Sequence, residues 1–292
     1  MLALILVILI NDHSRDNSLN VILEIQKEDP RIKIINNEKN LGILYSRSKA
    51  VLEAKGKYIL NLDNDDFFLD EDLFQILYEE AEEGDFDIVS FMEVSIKSYK
   101  ASINEMKDGF CTRHHKDNDI VLQPELTYYP LFKNGKFRLI DIQIWGKLIR
   151  TDVYKKAIYL LGKERYSIYN VYNEDIVALF AICNVAESYK YVRKYGLFHI
   201  VEQKSASNIA KDEHKNQMAI FFTEIVFDLS KNEKKRYAVN LLLSLVYSPS
   251  QKNNIYLSKV IKKIIDCENI TENDKNKLRK KYKEIFLSNL KK

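Results

Sequence analysis

The sequence is short of cysteine, of net charge and of long apolar runs. Its three cysteines, Cys111, Cys183 and Cys267, are odd in number and far apart, with no CxxC spacing. That pattern argues against a disulfide framework and a thiolate zinc site, and favours a reducing compartment. The 45 basic and 42 acidic side chains cancel to a formal charge of +3, so no global field calls for nucleic acid as a partner, although the tail is locally more basic. The apolar run from Met1 to Ile10 is about half the roughly 20 residues that a membrane span requires, and it lacks both a preceding basic residue and a following small-residue cleavage site. It ends at Asn11-Asp12-His13-Ser14 and reads as a buried strand entering a turn. Internal repeats and long low-complexity linkers are also missing.

What is present suits a globular protein. At 292 residues and 46% hydrophobic, the chain supports a substantial core in one large domain or two small ones. Ser18 to Lys27 places Leu19, Ile22, Leu23 and Ile25 at helical spacing and stops at Asp29-Pro30, and Arg31 to Asn36 reads as a short strand. Asn40-Leu41-Gly42 makes a turn before a second helical stretch from Ile43 to Ala54, which Lys55-Gly56 ends. A strand from Tyr58 follows, then a helix from Glu71 to Glu83 and a strand from Phe86 to Val94. This alternation predicts an α/β fold with a mainly parallel sheet, whose ligands bind beyond the carboxyl ends of the strands. Ser95 to Pro130 is poorly periodic and reads as loops and short strands. Trp145 to Tyr154 and Glu174 to Ala186 read as helices, and Tyr189 to Ile200 as a strand. Beyond about Lys211 come Lys-rich amphipathic helices, with Leu241, Leu242, Leu245 and Val246 on one face. The expected division is 1–210, split into halves 1–95 and 96–210, with a helical region 211–292.

The chemistry concentrates at Asp63-Asn64-Asp65-Asp66, where an apolar strand ends in closely spaced carboxylates. Such groups repel unless a cation or a hydrogen-bond network holds them. A helix N-terminus near Asp70 also favours acidic residues, so a plain turn is the competing reading.

The order of several motifs resembles family 2 glycosyltransferases over roughly residues 4 to 207. Ile5 to Ile10 with the turn from Asn11 to Ser18 resembles the family's second strand and turn, and Asn40-Leu41-Gly42 with Arg47 its NLG…R segment. Gly56-Lys57-Tyr58-Ile59 leads into a DxD motif at Asp63-Asn64-Asp65. Trp145-Gly146-Lys147-Leu148 resembles the WxK element, Asn173-Glu174-Asp175 the ED motif, and Ser205-Ala206-Ser207 a short serine motif. The resemblance implies a GT-A-like fold and a metal-dependent, inverting transfer from a nucleoside-diphosphate sugar, a UDP-sugar, to a hydroxyl of a saccharide, lipid-linked or protein acceptor. It also implies Mn²⁺ or Mg²⁺ on Asp65, shared with Asp63 or with Asp63 contacting the ribose, while Asp66 supports the loop. Asp12 would recognise the base, with Asp16 and Ser14 capping the next helix, and Arg47 would approach the donor phosphates or form a salt bridge. Asp175 is the expected general base and Glu174 the second choice. Trp145 would wall an acceptor pocket or sit in the core, Lys147 is expected to be solvated or ion-paired, and His199 structural.

Some residues depart from the pattern. Family members carry a strand before the one at Met1 to Ile10, so the sequence reads as a shortened version or uses that segment unusually. An impaired binding or assembly subunit is the resulting alternative. His13 stands where the family has Gly and is expected to face solvent, and Gly196 to Ile200 lacks a usual basic residue. A dehalogenase-type phosphatase is disfavoured by Phe67 and by the late position of the DxD. Lys262, Lys263, Lys280 and Lys281 lie near apolar residues, so the tail reads as a packed amphipathic appendage with a solvated face, with peripheral contact with an anionic membrane as the alternative. The expected location is the cytoplasm or the cytoplasmic face of a membrane.

Overall fold

Apolar strand and amphipathic helix patterns alternate along the first part of the chain, and the computed structural model folds them accordingly. It describes residues 5–96, 120–123, 126–128, 132–133, 136–137, 142–170, 173–200, 212–231, 235–246 and 255–290. Strand β1 (Val7–Asn11) is followed by α1 (Ser18–Glu28), β2 (Ile32–Asn36), α2 (Ile43–Glu53), β3 (Tyr58–Leu60), β4 (Phe67–Phe68), α3 (Leu73–Glu83) and β5 (Ile88–Ile96). Then come β6 (Ile120–Leu122), the short β7 (Phe132–Lys133) and β8 (Lys136–Phe137), β9 (Lys147–Arg150), α4 (Thr151–Leu161), α5 (Lys163–Tyr166), α6 (Glu174–Cys183) and β10 (Ser188–Ile200). The chain ends in α7 (Asp212–Leu229), α8 (Arg236–Val246), α9 (Ile255–Ile265) and α10 (Glu272–Leu290). It divides into two compact units, Met1–Asn134 with Arg138–Asn208, and Gly135–Phe137 with Ile209–Lys292.

The α/β class is as expected, but the strand pairing is mixed rather than mainly parallel. β1 and β2 pair in parallel, as do β5 and β10, whereas β3–β9, β5–β9, β4–β10 and β6–β10 are antiparallel. The central sheet runs β3-β9-β5-β10-β4, with β6 also on β10, and β1–β2 forms a separate pair. The antiparallel content comes largely from β9, which lies inside the stretch expected to be a helix from Trp145. Lys147 to Arg150 is bonded on both sides, to β3 and β5, and two flanking ladders override helical spacing. The helix starts only at Thr151.

The core of this unit lies where α3 packs on β5 and β10. Leu73, Leu77 and Ala81 of α3 meet Val89, Phe91, Trp145, Leu148, Val192 and Leu197. Every residue of α6 from Ile176 to Cys183 is buried, as an all-round apolar helix requires. β10 bends by register shifts around Tyr195, and a Cβ at the next residue, Gly196, would lie 2.6 Å from Leu73 and Phe91 side-chain carbons. The glycine lets α3 approach the strand closely. Most of Ser95 to Pro130, Ser205 to Ser207 and Cys111 fall outside the described residues.

In the second unit, Leu241 and Leu242 are buried on α8. Lys263 of α9 pairs with Glu224 at 2.9 Å and Asp228 at 2.8 Å on α7. Of the lysines considered for a membrane surface, this one serves to join two helices. Among the described residues, no helix is long and apolar enough to cross a membrane.

Candidate active site

Helix α2 carries the site's organising contacts. The segment that leads into it is tied to the end of β1 by Asp12, whose carboxylate accepts the Leu41 and Gly42 amides at 2.9 and 2.8 Å and the Asn37 side-chain amide at 2.9 Å. A carboxylate offers about four acceptor sites, so the turn takes most of the capacity expected to serve a nucleobase. Asn37, buried, also donates to Ser46 of α2. His13, where the family has Gly, is exposed with φ of 60°, a left-handed conformation that glycine adopts without cost. Asp16 accepts the amide of Ser18, the first residue of α1, whereas the Ser14 amide donates to Asn11 and Ser14 takes no cap position.

Five residues beyond Gly42, Arg47 reaches the ends of two further elements. Its Nη1 lies 2.6 Å from Asp175 and 3.9 Å from Glu174, and its Nη2 3.2 Å from Asp63. The Arg47 side chain is only 10% exposed, against 37% for Asp63 and 18% for Asp175. Burial opposes the guanidinium charge, but Asp175 and Asp63 outweigh it and hold Arg47 charged. One cation thus faces three carboxylates. Burial, then the adjacent Asp175, pushes Glu174 up to about 7. Burial likewise raises Asp63, against the pull of Arg47. Asn173, just before this pair, has φ of 62°, which asparagine tolerates better than most residues.

The carboxylates of the Asp63 loop separate by role. The Asp66 amide donates to the Asp63 carbonyl at 3.1 Å, closing a turn. The Asp66 carboxylate, fully buried, accepts the Ile200 amide at 2.9 Å and lies 3.1 Å from His199 Nδ1. Asp66 therefore fastens the loop to the end of β10, the supporting part expected of it. Burial works most strongly against a charged His199, yet the bond to Asp66 together with the charges of Asp66, Glu93 and Asp65 outweighs it and raises the imidazole pKa. The ring stacks on Trp145, with centroids 4.7 Å apart and planes at 22°. Trp145 is a core residue at 4% exposure, so its contribution is to back His199. Of the two readings of Lys147, solvated or ion-paired, the first fails: it is fully buried and donates to the Gln143 carbonyl at 2.7 Å. Burial among the neighbours of β9 accounts for this, since a lysine buried there must find an acceptor.

Among the described residues, no group of three or more His, Cys, Asp or Glu is arranged to hold a metal ion. The donor set still fits Mg²⁺ or Mn²⁺ in a nucleotide complex, since such ions are held by one or two carboxylates plus substrate phosphates rather than by a protein cage. Asp65 and the partly exposed Asp63 supply hard oxygen donors of that kind.

Asn37 and Tyr154 were not singled out by the sequence. Tyr154, buried beside Arg47, has its phenol pushed up, first by burial. The only sequence cue was a polar atom on an otherwise apolar helix face. Asn37 had a clearer one, an asparagine doublet at a strand end.

The family model for glycosyl transferase family 2 matches residues 3–155. The chain belongs to that family. It is similar to the cholesterol galactosyltransferase of Borreliella burgdorferi, 27% identical over 220 residues, covering 73% of this chain and 57% of the relative. It also resembles the processive diacylglycerol beta-glycosyltransferase of Mycoplasma pneumoniae, 25% identical over 210 residues, covering 69% of this chain and 56% of that protein. The chain thus spans little more than half the length of these relatives. Among solved structures, S. aureus TarS residues 1–349 in complex with UDP-GlcNAc superposes with a TM-score of 0.61 at 14% identity, covering 97% of this chain and 80% of that one. The expected GT-A-like fold agrees with that likeness.

Proposed function

We propose that the chain transfers a glycosyl group, with inversion, from a UDP-sugar to a hydroxyl acceptor, with the help of Mn²⁺ or Mg²⁺. The observation that carries this reading is the convergence of Asp63 and Asp175 on the buried Arg47 guanidinium, which joins a donor-side carboxylate to a prospective base. A divalent ion would neutralise the leaving diphosphate. Asp65 and Asp63 would hold it, and Asp12, through its remaining acceptor capacity, would meet the nucleobase. Asp175 takes the acceptor proton while the hydroxyl oxygen bonds to the anomeric carbon from the face opposite the diphosphate, whose C–O bond breaks.

The names of the two relatives support a lipid hydroxyl as the acceptor, since one refers to cholesterol and the other to diacylglycerol. Peripheral attachment through the lysines of α9 and α10 belongs to the same proposal, with Lys262 and Lys280 on the exposed face.

Calorimetry of the folded chain with UDP tests the donor and metal parts together. Heat is expected with Mn²⁺ and not after EDTA treatment, and an absence of heat under both conditions would overturn the reading. UDP binding without turnover of any sugar nucleotide would point instead to a binding or assembly subunit.

A further inference from the structure

Arg47 was expected either to approach the donor phosphates or to form a salt bridge, and its surroundings decide between them. The guanidinium is buried, and its two terminal nitrogens are directed to carboxylates on different elements: Asp175 at the start of α6 and Asp63 after β3. The cavity beside it is lined by Leu44, Ala157, Ile158, Leu161, Ala178 and Ala181, among other residues, none of them acidic. The carboxylates that face it are therefore on the site side, Asp175 at 2.6 Å and Asp63 at 3.2 Å, with Glu174 more distant at 3.9 Å. The helix that carries Arg47 is anchored at its start, because Asp12 holds the Leu41 and Gly42 amides that lead into α2.

We infer that Arg47 is a positioning residue that fixes the spacing between Asp63, on the donor side, and Asp175, the base, by binding one carboxylate with each arm of its fork. This rests on the transfer reading above. A planar fork can hold two carboxylates in a set geometry, whereas an ammonium acts as a point charge. The consequence is a split between binding and turnover. Without the strut the donor still binds, but the acceptor hydroxyl and Asp175 are no longer aligned when it does. Misplacement of a reacting group by about 1 Å can cost roughly 100-fold in rate.

The test compares the full chain with its R47K and R47A variants, measuring UDP–Mn²⁺ affinity by calorimetry, thermal unfolding, and kcat and KM for donor and acceptor. R47K keeps a positive charge in the buried site and so guards against a simple loss of folding. The expected result is a folded R47K protein with wild-type UDP affinity and donor KM but a clearly lower kcat, and a kcat loss of about 100-fold in R47A where it folds. A rise in donor KM or a loss of UDP affinity, with kcat preserved at saturating donor, would overturn the inference and make Arg47 a phosphate ligand. An active wild type matched in kcat by R47K would overturn it too. A wild type that binds UDP but turns nothing over would instead overturn the transfer reading, and this inference with it.

Discussion

At Asp66 a single side chain decides where the acidic loop sits. Its carboxylate is fully buried and is the acceptor for the Ile200 amide, so Asp66→Ala strands a buried N–H as well as removing the His199 contact. A buried donor without a partner costs about 1–3 kcal/mol, and urea unfolding should find D66A less stable by that amount. Glu174 gives a prediction with a sign. Burial and Asp175 raise its folded-state pKa to about 7, above its ordinary value of 4.5, so the folded chain holds that proton more tightly than the unfolded chain. The stability it contributes is fully present below about pH 4.5 and is lost as pH rises toward 7. E174Q should flatten this decline, by no more than about 1.4 kcal/mol per pH unit for one group. Urea unfolding of both proteins between those pH values checks it; parallel curves would refute the assignment. The acidic pair and its neighbourhood were legible in the sequence as types and positions. What could not be read was that Asp63, Asp66 and Asp175 differ in burial and partner, because those differences arise from segments more than a hundred residues away, at Ile200 and Asp175.

Among the elements, α2 shows how local chemistry and tertiary contact combine. The Asn40-Leu41-Gly42 turn was readable because glycine supplies the positive φ of 87° that this helix start uses. The close approach of Asn170, whose backbone nitrogen would be 2.9 Å from a Cβ at Gly42, was not readable. Gly42→Ala therefore meets both backbone strain, about 1–3 kcal/mol for an extended positive-φ conformation that is essentially glycine's alone, and a clash with main chain that cannot swing aside. Thermal unfolding should show a loss larger than the strain alone, and an unchanged midpoint would show that the turn has another route. β9 is the opposite case. Trp145 to Tyr154 has helical spacing, yet Lys147 to Arg150 is a strand bonded on both edges. A segment of four residues carries too little pattern to announce its own ladder partners, which lie in β3 and β5.

For the molecule as a whole, stability is expected to be unevenly distributed. Among the described residues β1 and β2 pair with each other alone, and α1, which packs beside them, has no buried residue. A two-stranded pair depends on the helices packed against it, and α1 buries no residue of its own there, whereas β5 and β10 lie within a six-stranded sheet under α3. Hydrogen exchange should therefore show the amides of Val7–Asn11 and Ile32–Asn36 opening at markedly lower free energy than those of β5. Equal protection would contradict it. The sequence by itself determined the α/β class, nearly all of the helices, the acidic loop and the family, because these depend on periodicity, turn residues and short motifs carried within single segments. The tertiary structure alone decided the mixed strand directions, the burial of Lys147 and the joining of Asp63 to Asp175 through Arg47. Each of these depends on which distant segment fills the space beside a residue, and a buried charge takes its partner from whatever packing brings within reach.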